Sequence, residues 1–569
     1  MTILPQITDE RVDDIPLLIH TMTHHLGFHT LLDEIRPRHG NWLGLSLGQV
    51  TVVWLAHILS ECRHTMSPVR DWANARQHTL TCLLGQAPRD TDLSDDRLAE
   101  VLRLLSLDAV WQPFEQAVSQ RTMRVYQLPA QRVRLDTTTA SIHHSNEASV
   151  LFQRGHSKDH RPDLPQLKVM LAALDPLGLL LAVDVVAGQR ADDGLYVPMI
   201  DRVRTVVAPN GLLYIGDCKM SALATRAHLQ TTDNYYLMPL AQVGTLPAEM
   251  ATWINAALTG QARLTPLLDT DGQTILGEGY ELPRAQHSAG STGPIDWTER
   301  VLIVRSEAFA AAARRGLRQR LATAQTALEA LTPPPGRGRH QFTEVAPLQA
   351  AVHALLAQYD VEGLLTVHLT RQTQQRSVRA YGDRPARIEK QHRYIVHVQA
   401  DTAAIERLEQ TLGWRVYATN APRRTLTLAQ AVQAYRDEYL VEHNFTRLKG
   451  RPLSLSPLWL TRDDHAIGLV RLLTLAARVL ALMEYQVRRQ LAVLQQPLVG
   501  LYPGQATRAT LQPTTERLLL AFKHITLVIV HMRKTIKRHL TPLSNLQKSI
   551  VKLLGYPRNL YGQLVMDSG

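Results

Sequence analysis

The sequence predicts a mixed α/β fold, a sheet covered by helices and flanked by helical ends. Between about 130 and 240 five short runs, QRVRLDTTT, LKVMLAALD, LLLAVDVVAG, GLLYIGD and NYYLMPL, are rich in Val, Leu, Ile and Tyr. Each is bounded by Gly, Asp or Pro, the pattern of strands. Helical spacing separates the last three: DDGLYVPMIDRVRTVV precedes the fourth run and KMSALATRAHLQ the fifth. Three strands in succession, then strand and helix in alternation, give a mixed sheet with helices packed on it.

Before it, residues 1–125 read as a helical domain. LSLGQVTVVWLAHILSE and SDDRLAEVLRLLS have helical apolar spacing, Ser94 is placed to cap the second, and no strand pattern interrupts them. His20, His24, His25 and His29 recur there at helical offsets. With no nearby cysteine and no His-Glu-x-x-His pattern, they read as ordinary core and surface histidines, not as metal ligands. A first part of the sheet domain covers 130–240. Residues 241–412 interrupt it as an inserted module: strand-like QTILGEGYEL and ERVLIVRS, a long helix EAFAAAARRGLRQRLATAQTALEAL, the breaker TPPPGRGRH, a second helix, then EGLLTVHLT and HRYIVHVQA. The sheet domain resumes over 413–460 with the strand WRVYATN and a helix. Residues 461–569 read as a basic helical tail carrying Arg533, Lys534, Lys537, Arg538, Lys548 and Lys552.

At 569 residues the chain exceeds what one core uses, and three or so units are expected. Its 45% hydrophobic and 20% charged residues suit a folded globular protein. A net charge of +11 points to an anionic partner, nucleic acid first, although charge alone does not separate DNA from RNA or an acidic membrane. Cys62, Cys82 and Cys218 form no C-x-x-C pair, which fits a reducing compartment and argues against a disulfide framework or zinc ribbon. MTILPQITDERVDD turns acidic where a signal peptide needs an apolar run. The apolar stretches LVRLLTLAARVLALM and LLLAFKHITLVIVHM are broken by Arg471, Arg478 and Lys523, so both are expected to be buried helices and no membrane span is expected.

Three carboxylates draw attention. Asp136 is expected at the end of the first strand and Asp217 at the end of the fourth, where ligands gather in open α/β sheets. Either one alone is also an ordinary turn or cap residue. The third, Glu442, lies in YRDEYLVEHNFTRLKG. Read as one helix, that segment puts Tyr435, Glu438, Glu442, Phe445 and Lys449 within about 80° of one another. Two carboxylates and an amine on one stripe suit either a solvated salt-bridged face or a polar site. Phe445 reads as core. Three hard oxygen donors are what a pair of Mg²⁺ ions takes, with other positions left to water and phosphate oxygens. Between the aspartates, RGHSKDHRPDLPQLKVM crowds Arg154, His156, Lys158, His160, Arg161 and Lys168 into a solvated loop or a phosphate-facing one.

Together, LDTTT, GHSKDHRPDLPQLKVML, GLLYIGDCKM and YRDEYLVEHNFTRLKG resemble the DDE transposases of bacterial insertion sequences, in the branch with a Y-x2-R-x3-E-x6-K signature and an insertion before the glutamate. Tyr435, Glu442 and Lys449 match that signature, whereas Glu438 stands where the family has Arg. Arg436 and Arg447 lie about 160° and about 180° from that position and are not substitutes. The first 125 residues look like a helical domain of unknown function found at the head of such enzymes.

The resemblance implies an RNase H-like sheet with Asp136, Asp217 and Glu442 as catalytic, metal-binding triad for two Mg²⁺ (or Mn²⁺) ions. It implies cleavage and strand transfer at the terminal inverted repeats of an element and into target DNA. Lys449, Tyr435, Lys158 and Arg161 would contact DNA, with Tyr435 equally open to plain packing. A homodimer or larger synaptic complex in the bacterial cytoplasm, associated with the nucleoid, is implied as well. An RNase H-like nuclease without strand transfer, or a DNA-binding regulator with a decayed site, would carry many of the same residues. The N-terminal domain is open to DNA-end recognition or oligomerisation.

Overall fold

The computed structural model describes residues 6–566 apart from 38, 39, 41, 144–147, 208, 209, 270, 290–292, 335, 337, 338, 340, 381, 383, 384, 438, 506, 533 and 534. At 374, 376, 378, 387, 389, 391 and 439–441 it describes the backbone alone. Glu438, Arg533 and Lys534 therefore lie outside the described residues or side chains.

The two ends of the chain meet. Gln6–Arg11 (β1) pairs antiparallel with Thr526–His531, which pairs in turn with Ile536–Leu540. The tail is thus not all helical, and neither is the first domain. LLLAFKHITLVIVHM divides into a short helix, Thr515–Leu520, and the strand Thr526–His531. Its β-branched second half alternates buried and part-exposed residues, the period of a strand. The partner QITDER is mostly exposed and shows no apolar alternation, so its strand state comes from pairing with residues more than five hundred positions away.

The centre of the molecule is built on five strands: Arg132–Ser141 (β2), Gln166–Asp175 (β3), Leu179–Ala187 (β4), Leu213–Ile215 (β5) and Tyr235–Pro239 (β6). β2, β3 and β4 form an antiparallel meander, and β5 and β6 join parallel to β2 on its other side. The crossovers carry the helices Tyr196–Val206 and Leu223–Thr231, as parallel connections require. The order β4-β3-β2-β5-β6 with these directions is the RNase H-like arrangement, and the expected fold class holds.

The insertion is not a separate module throughout. After it, Trp414–Thr419 enters the sheet beside β6, and Ile295–Arg305, Ile275–Ser288 and Thr265–Leu268 continue outward from it, making nine strands. In chain order these are β7 (Thr265–Leu268), β8 (Ile275–Ser288) and β9 (Ile295–Arg305). From 307 the chain leaves the sheet. Helices Glu307–Glu329 and Val345–Gln358 pack with a hairpin, Leu365–Val378 (β10) and Arg387–Ala400 (β11), around Leu317, Leu328, Leu348, Val352 and Val396. Trp414–Thr419 (β12) then returns to the sheet. The consecutive apolar residues Val301, Leu302, Ile303 and Val304 of β9 are buried between β8 on one side and β12 on the other.

The long helix Asp463–Leu494 binds the ends to the centre. Its Gly468 lies so close to the helix Asp95–Ser106 that an added Cβ would sit 2.1 Å from the Leu102 carbonyl oxygen. Further along, Arg478 donates to Ser119 Oγ, Leu181 O and Glu115 Oε1, and Glu115 also accepts from the backbone of Val183 and from Arg202. Both Arg478 and Glu115 are buried, so each charge depends on the other. The helix is long and apolar enough to cross a membrane, with a mean hydropathy of 1.9 over its best window, but 94% of that window is buried inside the protein.

Candidate functional site

The parallel register of β2 and β5 creates the site. Arg134 is opposite Ile215, and two residues further along each segment Asp136 and Asp217 line the same small cavity. β2 runs on to Ser141, which puts Asp136 in the middle of its strand instead of at the expected end. The position is still terminal in effect, because its neighbour β5 stops at Ile215. Gly216 follows directly, and a Cβ there would lie 2.7 Å from Met220 Sδ. Asp217 then caps the short 3-10 turn Cys218–Ser221, accepting from the Lys219 backbone at 2.9 Å.

Side chains hold both carboxylates. Tyr196 Oη donates to Asp217 Oδ1 at 2.6 Å. Lys158 Nζ donates to Asp136 Oδ1 at 3.1 Å and to the Thr137 carbonyl oxygen at 2.6 Å. Burial pushes the Asp136 carboxyl above its usual range, Lys158 pulls it back, and the charge of Asp217 pushes it up again. The Tyr196 hydroxyl is held far above its ordinary value by burial and then by Asp217, Asp136 and Asp192. Asp192 is itself fixed by Lys168 and by Thr137 Oγ1. Tyr196 and Asp192 were not singled out in the sequence, where DDGLYVPM reads only as the start of a crossover helix.

A small cavity of about 20 Å³ between the strands is lined by Asp136, Asp217, Arg134, Gly216 and Tyr435. Tyr435 is buried, its ring centroid 4.8 Å from that of Tyr417, so it packs as well as lining the site. The single stripe expected from Tyr435 to Lys449 is broken. One helix, Leu428–Arg436, ends at Asp437, and a second runs Tyr439–Lys449. Arg134 clamps the end of the first by donating to the Ala434 carbonyl oxygen while pairing with Asp175.

The second helix is fixed by its inner face. Asn444 donates to the Gly178 carbonyl oxygen at 2.8 Å in the turn between β3 and β4. Arg447 is buried in ion pairs with Glu484 and Glu516, which gives it a structural role, and Phe445 packs against the core. Glu442, Thr446 and Lys449 occupy the outer face, within about 60° of one another, and Glu442 is exposed. Lys449 Nζ reaches Asp159 Oδ1 at 2.6 Å. Asp159 follows Lys158, so one loop grips Asp136 with one residue and the Glu442 helix with the next. Arg161, on the same loop, pairs with Asp163 in solvent at 2.7 Å.

The structure therefore brings together Asp136, Asp217, Tyr435 and Lys158, and ties Lys449 to the same loop. It does not bring Glu442 into the cavity. Among the described residues, no group of three or more His, Cys, Asp or Glu side chains is arranged to hold a metal ion. The aspartate pair itself suits a divalent cation: two hard oxygen donors line one small cavity, and an ammonium already neutralises one of them. Of the N-terminal histidines, His20 stacks on His24 at 4.3 Å and tilts against Tyr556 at 4.7 Å.

No protein-family model and no curated protein sequence matches the chain. Among solved structures, a piggyBac transposase synaptic complex with hairpin DNA is similar at 9% identity and a TM-score of 0.35, covering 99% of this chain and 88% of that one. A likeness at that level does not establish a shared fold.

Proposed function

We propose that this protein is a transposase that cuts DNA at the ends of an insertion sequence and joins them to a target. The observation that carries the reading is the placement of Asp136 and Asp217 in one small cavity where β5 ends in an RNase H-like sheet. The sequence motifs around those two residues and around Glu442 support the same assignment. In this reading Asp136 and Asp217 hold Mg²⁺ or Mn²⁺, and Glu442 is the third ligand, on a helix that packs against β2. When bound, the ions would polarise a phosphodiester and lower the pKa of the attacking water or 3′-hydroxyl.

The chain's own residues supply the rest. Tyr196 and the Lys219 backbone fix the Asp217 carboxylate, leaving its second oxygen for a ligand. Lys158 holds Asp136 in place, and with a cation bound its ammonium would be free to meet a DNA phosphate. Lys449 would do the same on release from Asp159. Arg161 extends this basic loop, and Tyr435 closes the floor of the cavity. The element ends and the target are then the DNA partners, engaged by two or more copies of the chain in the cytoplasm.

A second reading, a DNA-binding regulator, is favoured by one observation: Glu442 is exposed and outside the cavity of the pair. One assay separates the two. The protein is given a labelled element end, a target plasmid and Mg²⁺. Joined products support the transposase, nicks without joining indicate a nuclease, and binding without cleavage indicates the regulator.

A further inference from the structure

From Arg517 to Met566 the sequence has no Asp or Glu, while Arg517, Lys523, Arg533, Lys534, Lys537, Arg538, Lys548, Lys552 and Arg558 give it nine cations. The fold concentrates part of this charge on one concave surface. The helix Asn545–Leu554 buries Ile550, Val551, Leu553 and Leu554 against the core, which turns Lys548 and Lys552 outward, one turn apart. With Arg558 they rim a pocket of about 650 Å³ whose walls include Leu540, Leu543 and Val551. Among the described residues, no carboxylate lines it. All three cations are exposed, and among the described residues no ion pair engages them.

Such a surface repels itself unless an anion lies on it. Side chains one helical turn apart stand about 5–6 Å apart at Cβ, close to the spacing of successive phosphates along a strand. A concave seat with its apolar atoms recessed into the wall takes a rod-like polyanion, whereas a bilayer is flat and demands apolar residues that protrude. We propose that this pocket is a DNA-backbone site, built by the C-terminal end of the chain and separate from the Asp136–Asp217 cavity. It goes beyond the catalytic reading: a protein that bound DNA here without cutting it would satisfy it equally well.

The test measures binding of the full chain to a fluorescein-labelled duplex a few turns long, by anisotropy in EDTA, over a range of salt. The variant K548Q/K552Q/R558Q is compared with the wild type and with R315Q/R407Q/R424Q, which removes the same charge elsewhere. Affinity is expected to fall at least about tenfold in the first variant, and the slope of log K against log salt to flatten by about 2.7, close to 0.9 for each phosphate no longer neutralised. The single variants K548Q and K552Q should each flatten it by about 0.9, and the pair K548R/K552R should retain binding. Unchanged affinity and slope, or an equal fall in the control variant, overturns the site. So does a defect confined to phosphatidylserine vesicles with DNA binding intact, which would make the surface a membrane-binding one.

Discussion

Asp136, in the middle of β2, and Asp217, in the turn just past the end of β5, each lie two residues beyond the last paired positions, Arg134 and Ile215, and line one small cavity. The register of β2 with β5 brings the two chain segments together, and the turn that Asp217 caps, with the Tyr196 hydroxyl, fixes the second carboxylate. Asp217→Asn keeps an oxygen for the Tyr196 hydroxyl and removes only the charge. Cleavage by Asp217→Asn or Asp136→Asn is expected to fall by on the order of a hundredfold or more, with duplex binding in EDTA within twofold of wild type. Parallel loss of binding and cleavage in both variants would refute the assignment of these two carboxylates to the chemistry.

The aspartates were legible because each follows a short apolar run of unmistakable β composition, RVRL before Asp136 and LLYIG before Asp217. Asp136 was nevertheless placed at a strand end, since nothing local says that TTTAS continues the strand. Its continuation depends on β3, which pairs with it through Ser141. The break at Asp437 was hidden for a similar reason: the segment has continuous helical periodicity, and the stop comes from a distant side chain, Arg134, gripping Ala434. β1 had no local signal at all. The insertion was readable as strands and helices, but that β9 would pair with β12 and widen the central sheet is a long-range choice that spacing does not encode. Glu442 was singled out by its motif and by a stripe read as one helix; the stripe divides between two helices, and Glu442 is exposed outside the cavity of the aspartates.

Lys158 occupies the ground a cation would take. It is the ammonium bonded to Asp136, and it lowers a carboxyl that burial raises. Lys158→Ala should raise the Asp136 pKa further, so that the acid side of a Mn²⁺-binding profile moves to higher pH. At pH values above that limb, Mn²⁺ should bind severalfold more tightly, because no ammonium has to be displaced. Titration calorimetry without DNA reads both effects. Weaker Mn²⁺ binding at neutral pH in this variant would show that Lys158 organises the site instead of competing for it.

Lys449 and Asp159 form a partly exposed pair at 2.6 Å. Such pairs are worth about 0–1 kcal/mol, so Lys449→Ala should leave the thermal midpoint nearly unchanged. Strand joining is expected to drop several-fold all the same, if the ammonium's function is to hold a phosphate. Lys449→Arg, which keeps the charge, should recover part of the joining. A variant that joins as well as wild type removes Lys449 from the site.

Glu115 is the buried junction of the N-terminal helix Asp108–Tyr126, β4, and the long helix Asp463–Leu494. Glu115→Ala leaves Arg478 charged and unpaired in the interior, a loss of about 3–5 kcal/mol. The denaturation midpoint should fall accordingly, and limited proteolysis should open the junction between the chain ends and the sheet. Replacing both partners with apolar residues, Glu115→Leu with Arg478→Met, should recover much of the loss, since no charge is left alone in the interior and Arg202, part-exposed, keeps Asp184 at 4.0 Å. If the double variant is as unstable as the single one, the pair's hydrogen bonds to Val183, Ser119 and Leu181 matter more than its charges.

His57 tests the same physics with a titration. It is buried with its edge against Trp72, at a ring-centroid distance of 5.3 Å, and burial lowers its pKa to about 4, Glu61 opposing and Arg76 and Arg63 assisting. The unfolded chain takes up a proton below about 6.5, whereas the folded chain does so only near 4. Stability from this residue is therefore complete above the unfolded value and lost as pH falls through the window towards the folded one. At the acid limit the loss amounts to about 3 kcal/mol. His20, lowered to about 4 by burial and by His24 and His25, adds a loss of the same sign over the same window. Urea midpoints for the wild type and for His57→Phe, measured at about pH 7.5 and about pH 4.5, isolate the contribution of His57. The variant should lose less stability on acidification than the wild type, and an identical loss in the two would mean that His57 is already solvated or charged in the folded protein.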